Sequence, residues 1–321
     1  MPEAIDAARR PFLFRETLVG RYRPGFGRRM RVYLGEMFPV PLRLLMAVLL
    51  YASFAKVLAR VHQWPVAPTL RELVLGSGSV FATMLVLRLM DELKDREVDR
   101  RLFAWRPLPS GRVLESDIRL ALFLVSAVFV AAHLGQGLSF WTALGVLGYA
   151  TLMRRWFFLP DVMRPRLLLT LATHNPVIPV LLLHLVVIAA EARGRGLGDL
   201  DAGALVPVIV IYWAPVFAWE IARKIRSPGE ENAYVTYSRL FGPAGAVLLV
   251  AASQTLALGL VLRLGHVHGL HAAWAACAGA GWAIAQAAHV RFVLRPDASS
   301  SGLRPFAELF FLAILIGGLF S

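Results

Sequence analysis

The chain of 321 residues contains one cysteine, Cys277, so it can build neither a disulfide framework nor a thiolate metal centre. Charge is also scarce. Only 17% of residues are charged against 57% hydrophobic, and the mean hydropathy is +0.60, too apolar for a soluble domain of this length. Acids are the rarer sign, with 21 Asp and Glu against 34 Lys and Arg and a formal net charge of +13. The first 37 residues hold no apolar core of signal-peptide length, so no cleaved signal is expected.

What the chain has instead is long apolar runs, at about 38 to 59, 73 to 90, 117 to 134, 139 to 153, 167 to 190, 204 to 222, 240 to 262, 270 to 288 and 303 to 320. They predict an all-α polytopic membrane protein of about nine transmembrane helices over residues 38–321, preceded by a basic segment, residues 1–37. The surplus of positive charge is unevenly placed. Eight arginines (Arg9, Arg10, Arg15, Arg21, Arg23, Arg28, Arg29 and Arg31) precede the first run, and the loops after runs two, four, six and eight are rich in Lys and Arg. The opposite loops hold only Arg60, Arg71, Arg193, Arg195 and Arg263. By the positive-inside rule the N-terminus is expected in the cytoplasm, most simply of a bacterial cytoplasmic membrane, with the C-terminus on the far side. This asymmetry accounts for the basic charge without a nucleic-acid partner. Phe12, Leu13, Phe14, Leu18 and Val19, interleaved with arginines, read as an interfacial segment on anionic lipid.

Where the second run ends, Asp91, Asp95 and Asp99 stand four residues apart. Four residues advance a helix by about 400°, which puts the three carboxylates on one face, roughly 6 Å between neighbours. Like charges crowded this way call for a counter-ion, because each carboxylate raises the cost of ionising the next. The segment therefore reads as a site for a divalent cation and a diphosphate. Arg88, one turn before Asp91, is expected to pair with it.

The surrounding residues carry a family resemblance. Asp91-Glu92-Leu-Lys-Asp95-Arg-Glu-Val-Asp99 fits the first aspartate-rich motif of the UbiA superfamily of intramembrane prenyltransferases, with Asp in place of Asn and Glu in place of Asp. Arg106-Pro-Leu-Pro-Ser-Gly111 matches the family's stretch after that motif almost letter for letter. The nine-run hydropathy is also similar, so the resemblance covers nearly the whole chain. It implies a helical bundle around a central cavity, in which an isoprenyl diphosphate donor is ionised with the help of Mg²⁺ and its prenyl group passes to an aromatic or other lipophilic acceptor within the bilayer. Carried over residue by residue, it assigns Asp91, Asp95, Asp99 and Glu220 to metal binding and catalysis. Arg106, Tyr149, Arg154, Arg155 and Lys224 go to the substrate. The second acidic motif departs from the pattern: Trp219-Glu220-Ile-Ala-Arg223-Lys224-Ile-Arg226 mixes acid with base, and Lys224 would meet diphosphate where a second ion otherwise stands. Tyr234 to Arg239 resembles the segment that follows that motif.

Within the runs, polar residues are costly. His174 and Asn175, beside Pro176 and Pro179, are candidates to orient or deprotonate an acceptor. Lys56 is long enough to snorkel. Phe81, Tyr212, Trp213, Phe217 and Trp219 are candidates to line a prenyl tunnel and face a carbocation. Two other functions compete: a membrane terpene cyclase of the same superfamily, needing no acceptor, and a non-enzymatic transporter using the acidic ladder.

Overall fold

The structure, a computed structural model, describes residues 24 to 231 and 235 to 321. Tyr234 and the apolar positions Phe12 to Val19 lie outside these residues. Among the described residues the regular structure is entirely helical: α1 (Phe26–Met37), α2 (Val40–Val61), α3 (Leu70–Lys94), α4 (Arg96–Leu102), α5 (Glu115–Ala132), α6 (Leu138–Arg154), α7 (Pro160–Met163), α8 (Leu167–His174), α9 (Val177–Glu191), α10 (Ala202–Ala222), α11 (Tyr237–His268), α12 (Ala272–Leu294) and α13 (Arg304–Gly318), with three short 3₁₀ turns between them.

Every predicted apolar run is helical. Five stretches are long and apolar enough to cross a membrane: α2, α3, the combined run Leu167–Glu191, α10 and α11. The other four predicted spans fall short of that standard. α6 and α13 have only 17 and 15 residues, α5 carries Glu115, Asp117 and Arg119 within its 18, and α12 is diluted by Gln286, His289 and Arg291. The run at 167 to 190 is not one continuous helix, because Asn175-Pro176 divides it into α8 and α9. Proline supplies no N–H to the helix ladder, so the break falls where the sequence removes a donor. α11 bends for a similar reason, at Gly242 (φ 71°) followed by Pro243.

α3 packs against α2, α5, α6 and α9, while α10 packs against α2, α9, α11 and α13. The ladder of aspartates thus leaves the bundle at the end of a helix surrounded by others. Lipid tails are as apolar as leucine, so helices in a bilayer associate through close packing and internal hydrogen bonds. Gly76 lets α3 approach α2 so nearly that a Cβ there would lie 2.1 Å from the ring of Tyr51. Gly318 does the same for α13, where a Cβ would lie 2.2 Å from Ser53 Oγ. Tyr212 packs edge-on to Phe54 at 5.2 Å and its hydroxyl lies 2.6 Å from Ser53 Oγ. Lys56 does not snorkel to water; its Nζ donates to the Leu319 carbonyl at 2.5 Å, satisfying an end of α13 that has no partner of its own.

The described part of the N-terminal segment forms α1, which buries Met30 and Tyr33 and is tied to α5 by Arg29, whose Nε and Nη2 donate to Asp117 at 2.6 and 2.7 Å. This bidentate pair sets the segment against the bundle as a helix.

Candidate active site

The carboxylates of the ladder have three different environments. Helical backbone bonds run on through its bend, with Asp95 N–H donating to Asp91 O and Asp99 N–H to Asp95 O, each at 2.9 Å. Asp91 is half exposed and faces Lys94 Nζ at 3.3 Å. Asp99 is buried and engaged by Arg106 Nη1 at 2.9 Å, the guanidinium lying 3.9 Å from the centroid of Phe103. The loop Arg106 to Gly111 closes on itself through Ser110 N–H to Arg106 O at 3.0 Å and Gly111 N–H to Leu108 O at 3.1 Å, with Gly111 at φ 77°. That conformation favours glycine. The loop thereby holds Arg106 on Asp99.

Asp95 differs from both. Among the described residues its carboxylate accepts no hydrogen bond and forms no ion pair. Burial pushes its pKa up from 3.8 to about 6, with Asp91 and Asp99 adding to the rise and Lys94 and Lys224 opposing it. A partly buried, unpartnered carboxylate beside a second accessible one fits a hard cation. Among the described residues no three acidic or histidine side chains converge as a closed metal cage. Mg²⁺ characteristically takes one or two carboxylates and draws its remaining oxygens from water and phosphate, so the donor set here fits that ion only together with a phosphate ligand.

Arg88 pairs with Glu92, not with Asp91 as the spacing suggested. Glu92 is buried, Asp91 faces outward, and the burial of Glu92 decides which acid receives the guanidinium.

The lysine that opposes Asp95 arrives from the end of α10. Lys224 Nζ lies 2.9 Å from Glu220 Oε1. Arg223 clamps the same carboxylate at 2.6 and 2.9 Å. Both oxygens of Glu220 are therefore held by cations. The structure does bring the two motif segments into one electrostatic neighbourhood, through Lys224 and Asp95.

His174 also belongs here: the charges of Lys94 and Asp91 both act on it. Its ring stands 5.4 Å from Trp156 and 5.9 Å from Phe157, and its Nε2 is buried with no hydrogen-bond partner. Asn175, at the break between α8 and α9, accepts a hydrogen bond from Trp213 Nε1, and Trp213 lies 5.3 Å from Phe217. Tyr149 donates to Thr173 O at 2.8 Å and meets Phe157 edge-on at 5.7 Å. Of the aromatic candidates, Tyr212 belongs to the packed core and Phe81 packs against Phe38 at 5.5 Å. Trp219 donates to Glu308 at 3.0 Å under the guanidinium of Arg223. Trp213 and Phe217 remain beside the site.

Two features were not legible in the sequence. Trp156, with Lys94 Nζ 4.8 Å and the guanidinium carbon of Arg164 5.6 Å from its ring, sits in a run of three left-handed residues, Trp156 (φ 52°), Phe157 (φ 50°) and Phe158 (φ 62°). Such conformations are costly for bulky side chains and persist only where their surroundings fix them. This turn aims both Trp156 and Phe157 at His174. Lys94 is the second feature, a cation shared between Asp91 and Trp156. Arg154 and Arg155 are not gathered with these groups. They line a cavity of about 410 Å³ with Leu93, Glu115, Arg119 and Leu122. Leu93 lies about 200° round α3 from Asp91, on the opposite face of the helix.

No protein-family model matches the chain, and no curated protein does. Solved structures do share its fold. One, of a digeranylgeranylglyceryl phosphate synthase in membranes, superposes with a TM-score of 0.62 over 91% of this chain and 99% of its own at 12% identity. Another, the apo form of a UbiA homologue from Aeropyrum pernix K1, gives 0.60 over 84% and 94% at 19% identity. At these identities the likeness speaks for the fold, which is UbiA-like.

Proposed function

We propose that this chain is an intramembrane prenyltransferase of the UbiA kind, which takes an allylic isoprenyl diphosphate as donor and an aromatic or other lipophilic molecule as acceptor. The observation that carries the reading is Asp95: an unpartnered, partly buried carboxylate between Asp91 and the Asp99–Arg106 pair, in reach of Lys224. Such a group is a liability in an empty fold and an asset once a cation sits against it. In this reading Asp91 and Asp95 hold one Mg²⁺ with the donor's phosphate oxygens, and the site faces the cytoplasm. The ion, when bound, neutralises charge gathering on the leaving diphosphate.

The chain's own side chains do the rest. Lys94 and Lys224 meet the diphosphate directly, the second taking the place of further acidic ligands. Arg106 positions the ladder by holding Asp99. The allylic carbon–oxygen bond breaks with its electron pair leaving on the diphosphate, and Trp213 and Phe217 offer ring faces to the cation that results. The acceptor then supplies the electron pair of the new bond and gives up a proton, for which His174, with an unpartnered Nε2, is the candidate receiver.

Purified protein incubated with Mg²⁺, labelled prenyl diphosphates of graded length and candidate acceptors is expected to release pyrophosphate and form a prenylated product, both abolished by Asp91→Ala or Asp95→Ala. No release with any donor would refute the proposal. Hydrocarbon products formed with no acceptor present would favour the cyclase reading instead, which the cation-clamped Glu220 also suits.

A further inference from the structure

The cavity behind α3 has a charge problem that the proposed active site does not resolve. Three of its six lining residues are arginines, Arg119, Arg154 and Arg155, and the one acid is Glu115. That acid is already taken: its Oε1 receives Arg119 at 2.5 Å and its Oε2 receives Arg96. Among the described residues neither Arg154 nor Arg155 has an acidic partner, and Arg154 Nε is buried with no hydrogen-bond partner at all. Both Arg119 and Arg155 lie within Coulombic range of Arg154. Cations crowded into a concave site call for an anion, as the aspartates on the other face of the same helix call for a cation.

The rest of the wall says where that anion is attached. Leu93 and Leu122 close the cavity on its apolar sides. Along α5 from Arg119, Phe123 and Leu124 turn their side chains outward, 68% and 44% exposed. A helix face of this kind at the end of a membrane bundle is covered by acyl chains. Arginine's fork can bind phosphate oxygens in pairs, and a pocket of this volume opening beside a lipid-covered face accepts a headgroup phosphate whose chains run down α5.

We propose that Arg119, Arg154 and Arg155 form a site for the phosphate of an anionic phospholipid, separate from the aspartate face of α3. The lipid seals the gap between α3, α5 and α6 at the end of the bundle where the aspartates emerge.

The test is binding of phosphatidylglycerol to delipidated, purified full-length protein, read by native mass spectrometry and by melting temperature, with phosphatidylcholine and inorganic phosphate as separate arms. Phosphatidylglycerol is expected to bind and raise the melting temperature, and phosphatidylcholine to do neither. Each arginine removed should weaken that binding about fivefold, so Arg119→Gln with Arg155→Gln together give a loss of about 25-fold. An unchanged melting temperature of the double variant in phosphatidylcholine shows that it folds. Asp91→Asn, which disables the proposed donor site, is expected to keep full phosphatidylglycerol binding, so failure there is told apart from failure here. Equal binding of phosphatidylglycerol by wild type and double variant overturns the proposal. So does displacement of the lipid by inorganic phosphate at similar concentrations, which would make this a site for free phosphate.

Discussion

Replacing Asp95 with asparagine should make the empty protein more stable at neutral pH while destroying its proposed activity. In the folded chain the carboxylate titrates at about 6 against an ordinary 3.8, chiefly because it is buried. The folded state thus binds this proton more tightly than the unfolded state does. The penalty for ionising Asp95 is absent below pH about 4, grows as pH rises towards 6, and is complete above it. A difference of two pKa units and slightly more corresponds to about 3 kcal/mol. Asparagine keeps the shape and removes the ionisation, so the variant should gain part of that amount at neutral pH and nothing at pH about 4, a melting-temperature rise of roughly 5 °C. Magnesium pyrophosphate reverses the order. It should stabilise wild type with an affinity that climbs as pH rises through about 6 and then levels, and should leave the asparagine variant almost unmoved. Melting curves of both proteins in detergent from pH 4.5 to 8, with and without magnesium pyrophosphate, supply all four cases. An asparagine variant that melts at or below wild type at neutral pH would refute the reasoning, because Lys94 and Lys224 would then be compensating the charge in full.

Three further outcomes follow from the same contacts. Arg106→Ala strands the buried Asp99 carboxylate and should cost about 3 kcal/mol, visible as a lowered melting temperature; Arg106→Lys, which keeps the charge but not the planar contact with Phe103, should fall between it and wild type. Mg²⁺ titrated alone into the protein should give no saturable calorimetric signal at millimolar concentration, whereas Mg²⁺ titrated in the presence of pyrophosphate should saturate, since no closed cage exists among the described residues without phosphate oxygens. Gly76→Ala places a methyl group into the Tyr51 ring and should cost about 1–3 kcal/mol by overpacking, with Gly76→Ala/Tyr51→Leu recovering part of the loss in the same melting assay.

Hydropathy located the long helices because burial in lipid demands long apolar runs, but it did not announce the short helices α1, α4 and α7. Hydropathy alone shows one run at 167 to 190; it is the missing N–H of Pro176 that marks the break in the backbone ladder, where the structure divides the run into α8 and α9. The four-residue period of the aspartates predicts three carboxylates along one helical line, whereas the chain bends at Asp95 between α3 and α4, and period says nothing about depth. Depth is what separates them: Asp99 is buried with a cation, Asp91 is half exposed, and Asp95 lies between with none. Arg88 went to Glu92 for the same reason. Arg154 and Arg155 follow each other at the end of α6, where resemblance assigned them to the donor; the packing of α5 beside α3 turns them towards Arg119 instead. The left-handed turn at Trp156 carries no glycine or asparagine, so no residue preference announces it.

The departure of the second motif is explained by what α10 delivers to the ladder. A second cluster of free acids at that point would require a second cation to offset it before any diphosphate could approach. Here Glu220 is neutralised in place by Arg223 and Lys224, so the segment presents ammonium rather than carboxylate towards Asp95. Two acids at the end of α3, Asp91 and Asp95, and two lysines, Lys94 and Lys224, then flank the space proposed for the diphosphate. In the proposed function one divalent ion would be held by the acids together with the ligand, and the lysines would meet the ligand's remaining charge. Lys224→Ala frees Glu220 from one of its two partners, and should raise the KM for a prenyl diphosphate more than it lowers kcat. Lys224→Glu sets a third carboxylate facing Asp95, and should leave the proposed activity dependent on higher Mg²⁺. A steady-state Mg²⁺ titration in which both variants keep the wild-type dependence would show that α10 does not face the diphosphate, and the division of labour argued between the two helix ends would fail with it.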